Sequence, residues 1–254
     1  MNREIIWLND NYGNPTPCYK SDIKPPSVSA ILDLIIDPEF EQFVRDVGEE
    51  KAKEIREAAA NRGKSFHTFT ENFIKELALR KDRQKALLHT LNVSPSLLEK
   101  ENIPNHKIAE GRDLFYNFFY SDYSTRYVLL IGTELPVYSP ILFYRGKLDV
   151  LYDEPGCHNV ITDFKAYSKE VVEGSVKEIK IKRQLGAYAL ALEHMKNIKV
   201  TKASILAVIK SSSSIQEIIC EGKELEEQKM EFEKLVRKWH ELNGQNFLFD
   251  GENN

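Results

Sequence analysis

The 254-residue chain has few cysteines and no long apolar run. Its three cysteines, Cys18, Cys157 and Cys220, lie far apart, so they predict neither a disulfide framework nor a CxxC zinc site. The same count excludes a four-cysteine iron–sulfur cluster within the chain. No stretch of about 18 apolar residues is present, which excludes a hydrophobic membrane span. The N-terminus lacks the pattern of a signal or transit peptide, so a reducing, cytoplasmic location is expected.

A strong net charge is also lacking, because 35 basic residues nearly balance 39 acidic ones. The balance is uneven along the chain. Residues 217–254 hold ten acidic and five basic residues, so the remaining 216 residues carry a net charge of +1. The overall acidity belongs largely to this C-terminal segment, and it does not exclude a nucleic-acid partner. Apolar residues make up 42% of the chain, which excludes wholesale disorder.

The N-terminal half is predicted to be helical after an irregular start. Residues 1–26 contain proline breakers, and no regular element is expected there. Ser27 and Asp37 are candidate N-caps, and Pro38 suits the first helical position. Further helices are expected over 49–61, 64–79 and 106–120, with an interruption at Gly63 and a less regular connector over 81–103.

After residue 121 the sequence becomes rich in β-branched and aromatic residues separated by turn signals. Strands are predicted over 126–139, 141–152, 159–166, 203–210 and 215–220, and helices over 175–195 and 223–243. This order predicts an α/β fold, a mixed central sheet with helices on both faces. We expect a single domain over 1–254, made of a helical part (1–121), a sheet and helix core (122–221), and a terminal helix with an acidic tail (222–254).

The most informative segment pairs Asp149 with the D-x-K motif of Asp163 and Lys165. Residues two apart on a strand face the same side, so Asp163 and Lys165 are expected to point together. A hairpin turn can bring Asp149 beside Asp163, and two converging carboxylates repel each other unless a cation lies between them. Carboxylate oxygens suit Mg²⁺ or Mn²⁺, and the lysine would stabilise developing negative charge. The alternative is that the D-x-K motif is an ordinary surface pair.

Two other helical pairs extend this group. Gln184 and Tyr188 are four residues apart and share a helical face, as do His67 and Glu71. Gln184 and Tyr188 would be aimed at the phosphate or the lysine, or else Tyr188 is simply a buried core tyrosine. Glu134, on the first predicted strand, is either a metal ligand or an ordinary strand glutamate.

Together these residues resemble the PD-(D/E)XK nuclease superfamily in its RecB-like branch. The pattern H…GxxD…DxK…QxxxY is matched by His67, Gly146, Asp149, Asp163, Lys165, Gln184 and Tyr188. The resemblance covers roughly residues 60–220. Within the branch, the chain looks most like the mitochondrial genome maintenance exonuclease family and its phage-encoded relatives. The runs Pro26–Leu32 and Glu57–Gly63 support that closer similarity.

The resemblance implies the restriction-endonuclease-like fold with an extra N-terminal helical segment. It implies a Mg²⁺ or Mn²⁺ ion held by His67, Asp149, Asp163 and the backbone carbonyl of Phe164. It also implies Lys165 as the catalytic lysine, supported by Gln184 and Tyr188. The chain departs from the iron–sulfur members of the branch, which need four cysteines, so no iron–sulfur cluster is expected.

Basic and aromatic residues crowd the motif region, as expected for contacts to a DNA backbone and to unpaired bases. The candidate DNA-binding residues are Arg62, Lys64, Tyr144, Arg145, Lys147, Tyr167 and Lys169. The alternative for the lysines, including Lys177 to Lys182 on the following helix, is an ordinary solvated surface. No zinc-finger or helix-turn-helix signature is evident, which disfavours sequence-specific cutting.

The main functional hypothesis is a Mg²⁺- or Mn²⁺-dependent deoxyribonuclease that degrades DNA from its ends in replication, recombination or repair. By resemblance, single-stranded DNA is the expected substrate. A structure-specific or site-specific endonuclease is the first alternative, and a non-catalytic DNA-binding module on the same fold is the second. A viral protein acting in a host cell fits the same location and chemistry.

Overall fold

The computed structural model describes residues 24–244 and the backbone of Ile5–Asn9 and Pro15–Tyr19. These two short segments are strands, β1 (Ile5–Asn9) and β2 (Pro15–Tyr19), which pair in an antiparallel hairpin. The prediction of an irregular lead-in is therefore wrong for them. A two-stranded hairpin has only edge strands, where proline is tolerated because a missing N–H need not break a ladder bond.

The first helices begin at the predicted caps. Helix α1 (Val28–Leu32) follows Ser27, whose hydroxyl accepts a hydrogen bond from the Ala30 N–H at 3.1 Å. Helix α2 (Pro38–Val47) follows Asp37, whose carboxylate accepts from the Phe40 N–H at 3.1 Å.

Helix α3 (Glu49–Arg80) continues without the interruption predicted at Gly63. A glycine in a helix costs only about 1 kcal/mol relative to alanine. The buried side chains that follow it, including Phe66, Phe69 and Phe73, outweigh that cost.

The segment predicted to be a connector over 81–103 is instead mainly helix α4 (Arg83–Lys100). The Asp82 carboxylate caps it by accepting from the Gln84 and Lys85 N–H groups. Its buried residues Ala86, Thr90, Ser94 and Leu98 recur every fourth position. This small-residue stripe lets α4 pack closely on its neighbours, although the sequence around Pro95 gave no strong apolar period.

The remaining helices match the predictions closely. They are α5 (Asn105–Tyr120), α6 (Val176–Lys196), capped by Ser175, and α7 (Gly222–Leu242). The acidic tail beyond residue 244 lies outside the described residues. Within the part of the chain that is described, none of the helices has the length and apolarity needed to cross a membrane.

A five-stranded sheet forms the centre of the fold. Its strands, in their order across the sheet, are β3 (Leu129–Ser139), β4 (Tyr144–Glu154), β5 (Cys157–Tyr167), β6 (Lys202–Ile209) and β7 (Ile215–Glu221). Only β5 and β6 pair in parallel, and α6 is the crossover that such a pair requires. A 3₁₀ helix (Asp122–Val128) occupies the predicted start of the first strand.

Two apolar cores lie on opposite faces of the sheet. One, towards α1, α6 and α7, includes Tyr144, Leu148, Ile161, Ile205 and Phe232. The other, towards α3, α4 and α5, includes Phe66, Phe73, Phe115, Val150, Phe164 and Leu206. The predicted α/β fold, a mixed sheet with helices on both faces, is confirmed.

Candidate active site

The site lies where β4 and β5 stop pairing. The two strands pair from the turn at Glu154 and Cys157 as far as Val150 and Thr162, with one register shift between Tyr152 and Glu154. Beyond that point the Phe164 N–H donates to a side chain, Asp149 Oδ2, at 2.7 Å. A carboxylate thus satisfies a strand amide that the ladder leaves without a backbone partner.

The D-x-K motif has the predicted alternation. Asp163 is only 3% exposed, and its Oδ1 accepts a hydrogen bond from Gln184 Nε2 at 3.1 Å. The Lys165 ammonium forms an ion pair with Asp163 Oδ2. On the other face of the strand, Thr162 bonds to its neighbours and Phe164 packs into the core beside α3.

Helix α6 supplies the polar pair that the sequence indicates. Gln184 Nε2 also donates to the Tyr188 hydroxyl at 2.9 Å. A Cβ added at Gly146 would lie 2.8 Å from Tyr188 Cε1. The glycine of the GxxD motif therefore makes room for the tyrosine ring, which in turn fixes the amide that holds Asp163.

Helix α3 and strand β3 complete a three-residue group with β4. Candidate ligand atoms of His67, Glu134 and Asp149 all lie within 4.8 Å of one another. His67 Nδ1 is 3.2 Å from Asp149 Oδ2. Glu134 has a left-handed backbone (φ 50°), which a non-glycine residue rarely adopts, and its carboxylate forms an ion pair with Lys147.

Burial and mutual charge set the protonation of these groups. Burial, followed by repulsion from Asp149, raises the pKa of Asp163 to about 6. Burial would also raise the pKa of Asp149, but His67, Lys165 and the Phe164 N–H hold it below its ordinary value. Burial opposes the charged form of Lys165, yet Asp163 and Asp149 raise its pKa well above its usual range.

Burial acts to lower the pKa of His67, but the charge of Asp149, its hydrogen bond to the imidazole and the charge of Asp163 together raise that pKa above its ordinary value. Near neutral pH, Lys165 is therefore protonated and Asp149 is ionised. Asp163 loses its proton less readily than an ordinary aspartate does.

These residues fit a divalent cation. Asp163 Oδ2 is buried, and the Lys165 ammonium lies against it. The carboxylates of Asp149 and Asp163 repel each other when both are ionised, and a cation between them would remove that repulsion. Carboxylate oxygens suit Mg²⁺ or Mn²⁺, and a neutral imidazole is a common metal ligand. The Phe164 carbonyl as a ligand stays a prediction.

Two of the predicted DNA-binding residues, Tyr144 and Arg62, are buried. The Tyr144 side chain is 0% exposed, and its hydroxyl donates to the Ala187 carbonyl at 2.7 Å, so stacking on a base is contradicted. Arg62 is also buried and lies 3.7 Å from Glu110, so it offers little surface to DNA, and its predicted contact with DNA stays a prediction. Aromatic and basic residue types alone do not distinguish a buried position from a surface one.

The other predicted DNA-binding residues keep some exposure. Lys64 pairs with Glu101 at 2.8 Å, and Lys147 pairs with Glu134. Arg145 and Tyr167 are half-buried, and Lys169 is exposed. Their DNA contacts stay predictions.

Tyr167 lies two residues after Lys165, and the ammonium group of Lys177 lies over its ring. Lys177 Nζ is 3.3 Å from the centre of the Tyr167 ring, which is a cation–π contact. Burial raises the pKa of Tyr167 to about 12. Sequence spacing alone did not single out this contact, because the two residues belong to different elements.

Comparison with known proteins gives one family. A family model described as the PD-(D/E)XK nuclease superfamily matches residues 40–253. No curated protein matches the chain in sequence. Among solved structures, a candidate exonuclease from Eubacterium rectale is 15% identical, with a TM-score of 0.42, and the match covers 64% of each chain.

The match to the family model spans well over half of the 254 residues. It contains every residue of the site described above. The chain therefore belongs to the PD-(D/E)XK nuclease superfamily.

Proposed function

We propose that this protein is a Mg²⁺- or Mn²⁺-dependent DNA exonuclease that hydrolyses phosphodiester bonds from the ends of single-stranded DNA. The observation that carries the proposal is a group of side chains at the fork, the point where β4 and β5 stop pairing. There Asp149, Asp163 and Lys165 converge beside His67, and Gln184 anchors Asp163. Replication, recombination or repair is the proposed setting.

Each side chain has a proposed task. By the resemblance, His67, Asp149 and Asp163 would hold the divalent cation. Glu134, which has a ligand atom within 4.8 Å of those of His67 and Asp149, would be a further ligand. The bound ion would polarise the scissile phosphate and neutralise charge that develops on it. Lys165 stays protonated and places its ammonium where it stabilises that charge or orients the attacking water.

Neighbouring hydrogen bonds restrict the positions of the two aspartate side chains. Gln184 fixes one oxygen of Asp163, and Tyr188 fixes Gln184 in turn. The Phe164 N–H fixes the Asp149 carboxylate at the other side. Held geometry of this kind matters because small misplacements of catalytic groups cost large factors in rate.

The preference for single-stranded ends rests on the resemblance to the mitochondrial genome maintenance exonucleases. The shared features are the residues of the H…GxxD…DxK…QxxxY pattern and the two runs before residue 64. Binding through backbone phosphates, which does not depend on base sequence, also suits an enzyme that degrades strands of any sequence.

The test uses purified protein with Mg²⁺, Mn²⁺ or a chelator on linear and circular DNA, single- and double-stranded. The linear substrates carry a label at the 5′ or the 3′ end. We expect release of short products from linear single strands only, and no release with the chelator. Cleavage of closed circles would instead indicate an endonuclease, and binding without turnover under every metal would indicate a binding module.

A further inference from the structure

Three basic side chains surround the carboxylate of Glu110, on the face of the sheet covered by α3 and α5. Lys107 Nζ lies 2.8 Å from Glu110 Oε1, and Lys210 Nζ lies 3.2 Å from Glu110 Oε2. Arg62 Nη1 lies 3.7 Å from the same Oε2 atom. Three cations thus share a single carboxylate.

The Glu110 carboxylate accepts only some of the hydrogen bonds that these three side chains can donate. The hydrogen bond from Lys107 keeps the pKa of Glu110 low despite burial, so Glu110 is ionised and the group keeps an excess of positive charge. Arg62 is only 7% exposed, and its Nε has no hydrogen-bond partner among the described residues. Lys210 is half exposed and opens the group to solvent.

The N-terminus of α5 adds to this positive field. Helix α5 begins at Asn105 after Pro104, without a side-chain cap, and Lys107 lies in its first turn. The unpaired amides at such an end carry partial positive charge and favour an anion.

The backbone links the group to β5, the strand that carries Asp163 and Lys165. The Lys210 N–H donates to the Tyr167 carbonyl at 2.8 Å, at the end of the parallel pair of β5 and β6. Tyr167 is two residues beyond Lys165, which is about 7 Å along a strand. Arg62 precedes Phe66 by one helical turn, and the Phe66 ring is 6.3 Å from the Phe164 ring.

We propose that Arg62, Lys107 and Lys210 form a binding site for a phosphate of the DNA backbone other than the scissile one. The ligand class follows from the chemistry, because these side chains offer only donors and a phosphate offers only acceptors. Lys107 and Lys210 would contact the phosphate, and Arg62 would hold the charge of the group from below. The inference rests on the proposed nuclease function.

The sequence offers a matched control for Lys210. Lys202 begins strand β6, Lys210 follows its end, and each pairs with one glutamate. Lys202 Nζ lies 3.0 Å from Glu154, close to the 3.2 Å of the Lys210–Glu110 pair. Lys202→Ala therefore removes the same charge at the opposite end of the strand, from an ion pair that is more buried than that of Lys210.

The test measures binding of a fluorescent single-stranded oligonucleotide by anisotropy over a range of salt concentrations. Losing one phosphate contact should reduce the slope of log K against log salt by about 0.7. We expect this reduction in Lys210→Ala and not in Lys202→Ala. We also expect KM to rise several-fold in Lys210→Ala with kcat nearly retained, and Lys210→Arg to restore both values.

Equal slopes for Lys210→Ala and Lys202→Ala would overturn the phosphate site, and so would a failure of Lys210→Arg to restore binding. Thermal unfolding of each variant separates a folding defect from a binding defect. A slope difference in a protein that cleaves none of the DNA substrates would leave the phosphate site standing and overturn the proposed catalytic function.

Discussion

Two positions on strand β4, its middle and its hairpin end, carry the same local arrangement with different consequences. At the fork, Asp149 accepts the Phe164 N–H at 2.7 Å and lies 3.2 Å from His67. At the hairpin end, Asp153 accepts the Asn159 N–H at 2.8 Å and lies 3.2 Å from His158. An aspartate, a histidine and a strand amide are thus combined twice on one strand.

The difference lies in burial and in a second carboxylate. The His158 side chain is 77% exposed, whereas that of His67 is 28% exposed. Only the fork brings a buried partner, Asp163, whose pKa Asp149 helps to raise. The comparison teaches that an Asp–His contact at the surface caps a turn, whereas burial beside another carboxylate makes it a candidate metal site.

The largest effect is expected from breaking the fork itself. Lys165→Ala or Asp163→Ala should lower kcat by at least about 10²–10³-fold, because Lys165 would face the developing negative charge and Asp163 would hold the cation. Steady-state cleavage assays measure this loss, and circular dichroism checks the fold. Lys202→Ala, which removes a lysine at the hairpin end, is the control. Activity within a few-fold of wild type in either fork variant would refute the assignment.

The second-largest effect is a stabilisation by metal that should depend on Asp149 and not on Asp153. Saturating Mg²⁺ or Mn²⁺ should raise the melting temperature, because a ligand at 100 times its Kd stabilises a fold by about 2.7 kcal/mol. Asp149→Asn should abolish this shift, and Asp153→Asn should keep it. Differential scanning fluorimetry with metal and with chelator measures both. An equal metal response in the two variants would place the metal elsewhere.

A third pair of substitutions separates activity from stability. Gly146→Ala places a Cβ 2.8 Å from Tyr188 Cε1, so it should lower kcat by disturbing the ring that holds Gln184. Gly156, in the hairpin turn, has φ +78° and open space around it. Gly156→Ala should cost about 1–2 kcal/mol of unfolding free energy and leave kcat unchanged. Chemical denaturation and initial rates distinguish the two, and the reverse pattern would contradict the proposed role of Tyr188.

The smallest effect is a pH dependence at the hairpin end. The backbone hydrogen bond from Asn159, with help from His158, lowers the pKa of Asp153 from its ordinary 3.8. A depressed acid pKa gives stability that is present above the unfolded value and is lost as pH falls through the folded value. Asp153→Asn should therefore lower the melting temperature at about pH 7 and have little effect near pH 2. A penalty that is equal at both pH values would show that charge is not its cause.

Much of the site could be predicted from local periodicity. A strand places residues two apart on one side, which gave Asp163 with Lys165, and a helix places residues four apart together, which gave Gln184 with Tyr188. Helix α4 was missed because its buried stripe is made of small residues, and small residues give little hydrophobic signal. Gly63 does not interrupt the helix that contains it, and the N-terminal prolines do not prevent the strand in which they lie.

Contacts between distant segments could not be predicted in that way. The burial of Tyr144 depends on α6, and the pairing of Arg62 with Glu110 depends on how α3 crosses α5. A Cβ on Gly111 would lie 2.3 Å from Ser65 Cβ, which shows how closely those two helices approach. None of these partners is within a few residues in the sequence.

The sequence by itself determined the α/β class, the faces of β5 and α6, and the order of the nuclease motif. Those follow from residue periods of two and 3.6, which act over a few neighbours. Only the tertiary structure decided that Asp149 meets His67 and Glu134 at a fork, whereas Asp153 stays at a solvated turn. Burial decides the charge state and the chemistry of a carboxylate, and burial arises from packing between segments far apart in the chain.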